Sequence, residues 1–394
     1  MAQLYRRPSP AVAFVGRHNS GKTTLIEKVI AYLAAQGLDV GSVKHHGHRG
    51  FDIDYPGKDS YRHRAAGSRD VVIVAPDLMA RVTELDTEPE CDQVVADMPG
   101  HDIVIVEGYR QSGLDTIEVM RSANERDAAA MEEFIECGTV RGGSPVAVAT
   151  DDERTADAAF ARGIAAFGLE DVEGIASFLQ QRYVRPKVTV AIQAGGESRR
   201  MGRSKATVPF LGRPLLERIA TRLAPVADEL LITTNEPQNL TFLDNLDLGC
   251  PVRLVTDVYD VRGALRGICT AFSAAKYPYL ALVACDMVFA SPALVYEQAR
   301  IAQREGADAV VPCNANGYEP FHGLYRVDAC LPAVEEALAR GDSRAKDFFG
   351  DIAMREFTRD EVKDAAPFGG CFVNVNTPEE LAHAEEMILE NGDR

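Results

Sequence analysis

Residues Gly16–Thr23 read G-R-H-N-S-G-K-T, which fits the spacing G-x-x-x-x-G-K-[ST]. Glycines at those positions let successive backbone N–H groups curl around phosphate oxygens, and a helix starting behind them adds a favourable dipole. Lys22 is placed to reach the β- and γ-phosphates of a nucleotide, and the Thr23 hydroxyl to ligate Mg²⁺. Gly16, Asn19, Ser20, Gly21 and Thr24 complete the cradle. A metal held there calls for a carboxylate. The apolar run from Asp102 ends in Glu107-Gly108, which puts Glu107 at the C-terminal end of a strand, where α/β proteins place ligands. Asp52, Asp54 and Asp59 are further candidates to shape a Mg²⁺–nucleotide site. His45, His46 and His48 lie close enough to raise a zinc alternative. A solvated polar loop is the reading we favour for them, because short histidine-rich tracts predict metal loosely. The guanine-reading tetrapeptide N-K-x-D is absent. Thr150-Asp151 is a stand-in for it, and the loop alone does not separate ATP from GTP.

A second loop, Ala194–Lys205, reads A-G-G-E-S-R-R-M-G-R-S-K. The Gly-Gly turn exposes backbone N–H groups to a phosphate chain, with Arg199, Arg200 and Lys205 supplying positive charge along it. The spacing G-G-x-S-x-R-M-G-x-x-K is similar to that of sugar-nucleotide and cofactor nucleotidyltransferases. In that chemistry a phosphate nucleophile attacks the α-phosphorus of a nucleoside triphosphate and pyrophosphate leaves. Positioning and charge neutralisation do most of the work. Lys205 would stabilise the developing charge. Asp286, just after the apolar run Tyr279–Cys285, would hold Mg²⁺ between phosphate oxygens. Asp257, which follows Val252–Thr256, could read the base or ribose.

These loops need strands before them and helices behind. Apolar runs at Ala11–Val15, Val71–Val74, Ile103–Val106 and Val146–Ala149, then at Val188–Ile192, Leu230–Thr233, Tyr279–Ala284 and Ala309–Val311, read as strands. Helix-like stretches such as Leu25–Leu33, Gly174–Arg182 and Pro214–Arg222 separate them. Their spacing leaves room for crossovers, so the expected class is α/β with parallel sheets. With 394 residues, two domains are the default. The break falls in Gln181–Pro186, where a helix-like stretch ends and Pro186 precedes a new strand. The expected division is residues 1–183, a P-loop NTPase-like sheet, and 187–394, a Rossmann-like sheet.

Composition bounds the partners. The formal net charge of −17 argues against nonspecific nucleic-acid or anionic-membrane binding, so a polyanionic ligand must enter through a local basic pocket. No stretch has the length and apolarity of a membrane span or a signal peptide. Eight scattered cysteines without a C-x-x-C pair match reduced thiols of a cytoplasmic protein.

These residues carry two resemblances. The first loop, Val43-Lys44-His45, the run F-D-I-D-Y-P-G-K-D-S-Y-R-H-R at 51–64 and Val106-Glu107-Gly108-Tyr109 resemble the molybdopterin-guanine dinucleotide biosynthesis adaptor family over about Ala11 to Leu179. That resemblance implies GTP binding with weak hydrolysis, a homodimer through this domain, and a helper role for a transferase. The second half, from Lys187 onward, resembles molybdenum cofactor guanylyltransferases. The residues that carry this are Ala194-Gly195-Gly196, Arg200-Met201-Gly202, Lys205, Asn235, Asp257, Gly263–Gly267, Cys285-Asp286 and the run from Phe372 to Glu380. It implies transfer of GMP from GTP to molybdenum-loaded molybdopterin. GTP would be contacted by the Gly loop, Lys205, Asn235 and Asp257, Mg²⁺ held at Asp286, and Asn374 and Asn376 would stand near the pterin or the metal. Molybdoenzymes or their chaperones would be the downstream partners. The chain departs from the pattern at Gln193, where leucine is common, at Ser204, where aspartate usually precedes the lysine, and at Met287-Val288. Gly196 and the loop Gly263–Gly267 favour guanine over the cytosine of related cytidylyltransferases. The alternatives are a cytidylyltransferase, or a GTP-regulated scaffold whose transferase half is inactive.

Overall fold

The computed structural model describes residues 5–391 except 49, 51–53, 196–203, 257–262, 316 and 368. The chain divides into two compact units. One covers Pro8–Leu179; the other takes Gln180 onward together with the short segment ending at Arg7.

The first unit contains β1 (Ala11–Val15), β2 (Val40–Lys44), β3 (Asp70–Val74), β4 (Met79–Thr83), β5 (Ile103–Glu107), β6 (Thr116–Met120), β7 (Ala147–Thr150) and β8 (Ala165–Phe167). Its main sheet runs β2-β5-β1-β6-β7-β8, and every pairing in it is parallel. β1 and β5 are buried along almost their whole length, which is why they read as unbroken apolar runs rather than alternating ones. Helices Lys22–Ala35, Glu125–Cys137 and Glu153–Ala161 are among the connections, and helix Val172–Arg182 follows β8.

The run Val71–Val74 departs from the expected parallel sheet. It belongs to β3, which pairs antiparallel with β4 in a hairpin outside the main sheet. The connection through Pro76-Asp77 is closed by the Ala75 N–H donating to Leu78 O at 2.8 Å. A link that short turns the chain back on itself, whereas a parallel crossover needs a dozen residues or more. Of the four valine and isoleucine side chains in the run, only Val71 is buried.

The second unit contains β9 (Val188–Gln193), β10 (Pro209–Phe210), β11 (Arg213–Pro214), β12 (Glu229–Thr233), β13 (Val252–Val255), β14 (Tyr279–Ala284), β15 (Ala309–Asn314), β16 (Gly317–Tyr318), β17 (Leu324–Arg326) and β18 (Met354–Phe357). β10 and β11 form a small hairpin; the large sheet runs β13-β12-β9-β14-β17-β15-β16, with β18 against β15. β13, β12, β9 and β14 are parallel, while β17 is antiparallel to both β14 and β15, so the sheet is mixed. Core residues alternate between two faces. Val190, Ile192, Leu230, Ile232, Ala281 and Val283 pack on one side, and Ala191, Leu231, Leu280 and Leu282 on the other. Both faces are therefore covered, as in doubly wound α/β folds.

Buried on the first of these sides is His322, 1% exposed. Its Nε2 accepts the Ser291 N–H at 2.9 Å, which fixes that nitrogen as unprotonated. Ser291 in turn caps helix Pro292–Glu305, and Gln298 donates to His322 O at 2.8 Å. Burial lowers the His322 pKa from 6.5 to about 4. The unfolded chain thus binds a proton first as pH falls, and stability is lost between pH 6.5 and 4, by about 3 kcal/mol in all. His322→Gln keeps an acceptor without that titration. Urea midpoints at pH 7 and pH 4.5 should converge in the variant relative to the parent; an unchanged acid loss would contradict this account.

Candidate functional site

The first site is built by register. Phe14 lies opposite Glu107 across the β1–β5 pair, and Lys44 lies opposite Glu107 across the β2–β5 pair. The loop leaving β1 therefore begins beside the Glu107 carboxylate. The Thr23 hydroxyl donates to Glu107 Oε1 at 2.7 Å, and Lys44 Nζ donates to Oε2 at 3.0 Å. Lys44 is a member of this cluster that the spacing argument did not single out; its register opposite Glu107 was not readable before the strands were paired.

Within the loop, Lys22 Nζ curls back to donate to Arg17 O at 2.6 Å and to Ser20 Oγ at 3.3 Å. Partial burial pushes the Lys22 pKa down, opposed by the charges of Glu107, Asp127 and Glu118. Ser20 is fully buried, Asn19 takes a left-handed φ of 66°, and Thr23 and Thr24 are exposed in the first turn of helix Lys22–Ala35. Gly21 caps that helix with φ 90°. Gly16 is required by close approach: a side chain's first carbon there would lie 2.4 Å from the backbone Val119 O. Because backbone must move to admit it, Gly16→Ala is expected to cost about 1–3 kcal/mol of stability. Thermal unfolding against the parent chain checks this, and an unchanged midpoint would show that the loop does not sit so tightly on β6.

Among the neighbouring candidates, Asp54 keeps its Oδ2 buried without a hydrogen-bond partner. Asp54 Oδ1 accepts the Tyr55 N–H at 3.0 Å, and Asp59 accepts from Arg62 at 3.4 Å; Asp52 lies outside the described residues. Asp151 Oδ1 accepts the Ser122 N–H at 2.6 Å. His45 bonds Glu88 at 2.7 Å and stacks on Tyr109, while His46 meets His48 edge-on. Among the described residues no group of three or more His, Cys, Asp or Glu is arranged to hold a metal ion.

The second site gathers residues from three distant stretches. Gln193, Thr233 and Ala284 stand in one row across β12, β9 and β14. One or two residues further along, Ala194, Asn235 and Asp286 therefore emerge at the same sheet edge. The Ala194 N–H donates to Thr233 O at 2.8 Å, and the Asn235 side chain lies 3.9 Å from where a side chain on Gly195 would start. Lys205 Nζ donates to Asp286 Oδ2 at 2.7 Å and to Asn376 Oδ1 at 2.6 Å. Lys205 and Asp286 side chains are each only 17% exposed, so this pairing is partly shielded from water.

The next helix start holds Asn376 in place. Thr377 and Glu380 form a reciprocal cap at the beginning of helix Pro378–Asn391. Glu380 Oε2 accepts the Asn376 N–H at 2.6 Å and the Thr377 N–H at 3.2 Å, while the Glu380 N–H donates to Thr377 Oγ1 at 3.2 Å. The Val375 N–H donates to Asp286 O at 3.0 Å, tying this turn to the end of β14. Asn374 is exposed and Asn376 turns to Lys205, so the two asparagines part company. Glu380 was legible as the fourth residue of a T-x-x-E signature, though not as the clamp on Asn376. Gln193 packs its amide against Gly267, whose absent side chain would meet it at 3.3 Å. Cys285, beside Asp286, is buried, and desolvation pushes its thiol up to about 12. Gly196, Arg200 and Asp257 lie outside the described residues.

Both sites offer oxygen donors of the kind Mg²⁺ takes. In the second, Asp286 Oδ2 and Asn376 Oδ1 converge on one point, marked by the Lys205 ammonium. In the first, the Thr23 hydroxyl and the Glu107 carboxylate meet directly. No helix among the described residues is long and apolar enough to cross a membrane.

Comparison with known proteins divides the chain in the same way. Residues 11–137 match the family described as molybdopterin guanine dinucleotide synthesis protein B, and residues 190–360 the family described as MobA-like NTP transferase domain. A probable molybdenum cofactor guanylyltransferase of Natronomonas pharaonis is 33% identical over 201 residues, 51% of this chain and 98% of the relative. The molybdopterin-guanine dinucleotide biosynthesis adapter protein of Escherichia coli is 34% identical over 175 residues, 43% of this chain and 91% of the relative. A solved structure of molybdopterin-guanine dinucleotide biosynthesis protein A from Archaeoglobus fulgidus aligns with a TM-score of 0.44 at 22% identity, over 51% of this chain and 99% of that one.

Proposed function

Since the chain belongs to the molybdenum cofactor guanylyltransferases over its second half and to the molybdopterin-guanine dinucleotide biosynthesis adapters over its first, we propose that it attaches GMP to molybdopterin. The acceptor phosphate of molybdenum-loaded molybdopterin attacks the α-phosphorus of GTP; the new P–O bond forms as the bond to pyrophosphate breaks. The products are the guanine dinucleotide cofactor and pyrophosphate. Residues 187–394 carry this transfer, and residues 1–183 bind a second GTP as an accessory domain.

The observation that carries the reading is the convergence of Lys205, Asp286 and Asn376 at one sheet edge. Lys205 would neutralise charge developing on the transferred phosphate. Asp286 and Asn376 would hold Mg²⁺, which when bound would withdraw charge from the phosphates. Gly195, Gly196 and Ala194 would approach the phosphate chain through their backbone, with Arg200 beside it. Gln193, Asn235 and Asp257 would contact the nucleoside, and Asn374 the pterin side. In the first unit, Gly16, Asn19, Ser20, Gly21, Lys22 and Thr24 would cradle phosphates, with Mg²⁺ at Thr23 beside Glu107. Slow GTP hydrolysis, a homodimer through this unit, delivery to molybdoenzymes or their chaperones, and a cytoplasmic setting complete the proposal.

The test is pyrophosphate release from GTP and Mg²⁺ on addition of molybdenum-loaded molybdopterin. Release that depends on the pterin and prefers GTP over CTP is expected. Absence of pterin-dependent release would overturn the enzymatic reading, and a preference for CTP would reassign the base.

A further inference from the structure

β6 ends at Met120, beside β1, and its next residue is Arg121. The guanidinium of Arg121 lies directly against Gly21, the residue that caps helix Lys22–Ala35. A side chain's first carbon on Gly21 would fall 2.7 Å from Arg121 Nη2. Glycine at this position thus serves two ends: it supplies the left-handed turn, and it lets an arginine reach the loop.

That arginine is oddly placed for a structural one. Its Nε is buried without a hydrogen-bond partner, and no acidic side chain among the described residues forms an ion pair with it. Glu170 feels its charge but is bonded to Lys28. Asp127, fully buried nearby, commits one oxygen elsewhere: its Oδ2 accepts the backbone N–H of Arg121 at 3.0 Å and the Asn124 amide at 2.9 Å. The Asn124 amide also donates to His18 O at 3.1 Å, which ties the segment after β6 to the phosphate loop. Arg17, in the loop itself, likewise has a buried Nε without a partner. A helix N-terminus repels cations. Yet Lys22 and Arg121 are both gathered at this one, and burial already works against the charge on Lys22. An anion between them makes the arrangement favourable, and the guanidinium fork suits phosphate oxygens.

We infer that Arg121 is a phosphate-binding residue of the first site, contacting the nucleotide's β-phosphate from the β6 side while Lys22 reaches it from the loop. The assignment to the β-phosphate comes from Gly21, since the backbone of this part of the loop cradles the α- and β-phosphates. The inference rests on the reading of the first unit as a nucleotide site.

The chain has no tryptophan. Glu125→Trp, at an exposed position just after Asn124, therefore gives the full-length protein a single fluorophore close to the loop. Energy transfer from it to mant-GTP, mant-GDP and mant-GMP reads nucleotide bound beside this loop, and the Lys22→Ala variant identifies the share of the signal that belongs to the first site. In this background Arg121→Ala is expected to weaken mant-GTP and mant-GDP by tenfold or more, with a much smaller change for mant-GMP, and Arg121→Lys to recover part of the loss. Unchanged affinities in Arg121→Ala, with binding weakened in Lys22→Ala, would overturn the role of Arg121 and leave the nucleotide site standing. Equal weakening of all three nucleotides would make Arg121 structural and also overturn it. If neither variant alters binding, or the parent binds none of the three, the nucleotide reading falls together with the inference. Thermal melts of each variant, and of Arg121→Lys in particular, separate loss of binding from loss of the fold.

Discussion

Replacing Asp286 with alanine is expected to lower the rate of pyrophosphate release by a thousandfold or more, with the first unit's nucleotide binding unchanged. Two effects combine. The carboxylate is the charged oxygen donor that faces Lys205 together with the Asn376 amide, so its loss removes the negative charge on which a divalent cation depends. It also frees Lys205, whose position is fixed by Asp286 at 2.7 Å and Asn376 at 2.6 Å. A loosened lysine is a weaker electrostatic partner for the transferred phosphate, and losing a single preorganised group of this kind typically costs about 10²–10³ in rate. Asp286→Asn separates the two contributions. It retains a hydrogen-bonding side chain of the same size but not the charge, so most of the loss should persist. A steady-state assay at saturating GTP checks this; an Asp286→Ala enzyme with more than a tenth of the parent rate would remove Asp286 from the centre of the mechanism.

Lys22→Ala is the second large expectation, and it acts on the other unit. The ammonium now satisfied by Arg17 O and Ser20 Oγ would turn to phosphate on binding, and it is partly desolvated beforehand. Removing it should weaken triphosphate affinity at the first site by about a hundredfold, in line with about 1.5–3 kcal/mol for a hydrogen bond to a charged group. Equilibrium binding of mant-GTP to the full chain measures it. Pyrophosphate release by the second unit should continue at saturating GTP, because Lys205, Asp286 and Asn376 all belong to that unit. If Lys22→Ala abolishes release as well, the first unit is part of the chemistry rather than an accessory to it.

The two loops and their main partners were legible in the amino-acid order because local constraints produce them. A strand, a glycine turn and a helix are contiguous, so G-x-x-x-x-G-K-[ST] and G-G-x-S-x-R-M-G-x-x-K carry their own context. Asp286 and Glu107 were legible for a related reason: each ends an apolar run, and parallel strands align such ends at one edge. The residues that escaped depend on pairing between strands far apart in sequence. Lys44 joins Glu107 only through the β2–β5 register, and Arg121 reaches Gly21 only because β6 lies beside β1. Nothing around Arg121 forms a recognisable spacing with the loop some hundred residues before it. The run Val71–Val74 misled for the opposite reason. Its apolarity looks like a buried strand, yet Val72, Ile73 and Val74 are 49%, 47% and 72% exposed in a hairpin off the main sheet. Hydrophobicity alone did not distinguish a strand between two layers from one outside them; the short Pro76-Asp77 link, which went unread in the sequence, is what marks the hairpin.

The central claim is transfer of a nucleotidyl group, and the fate of labelled phosphate tests it most directly. The full chain would be incubated with Mg²⁺, molybdenum-loaded molybdopterin and GTP labelled either at the α- or at the γ-phosphate. The α label is predicted to enter the pterin dinucleotide and the γ label to leave as pyrophosphate, with both signals lost in Asp286→Ala. Recovery of the α label in GDP and the γ label in inorganic phosphate, without any labelled dinucleotide, would contradict nucleotidyl transfer.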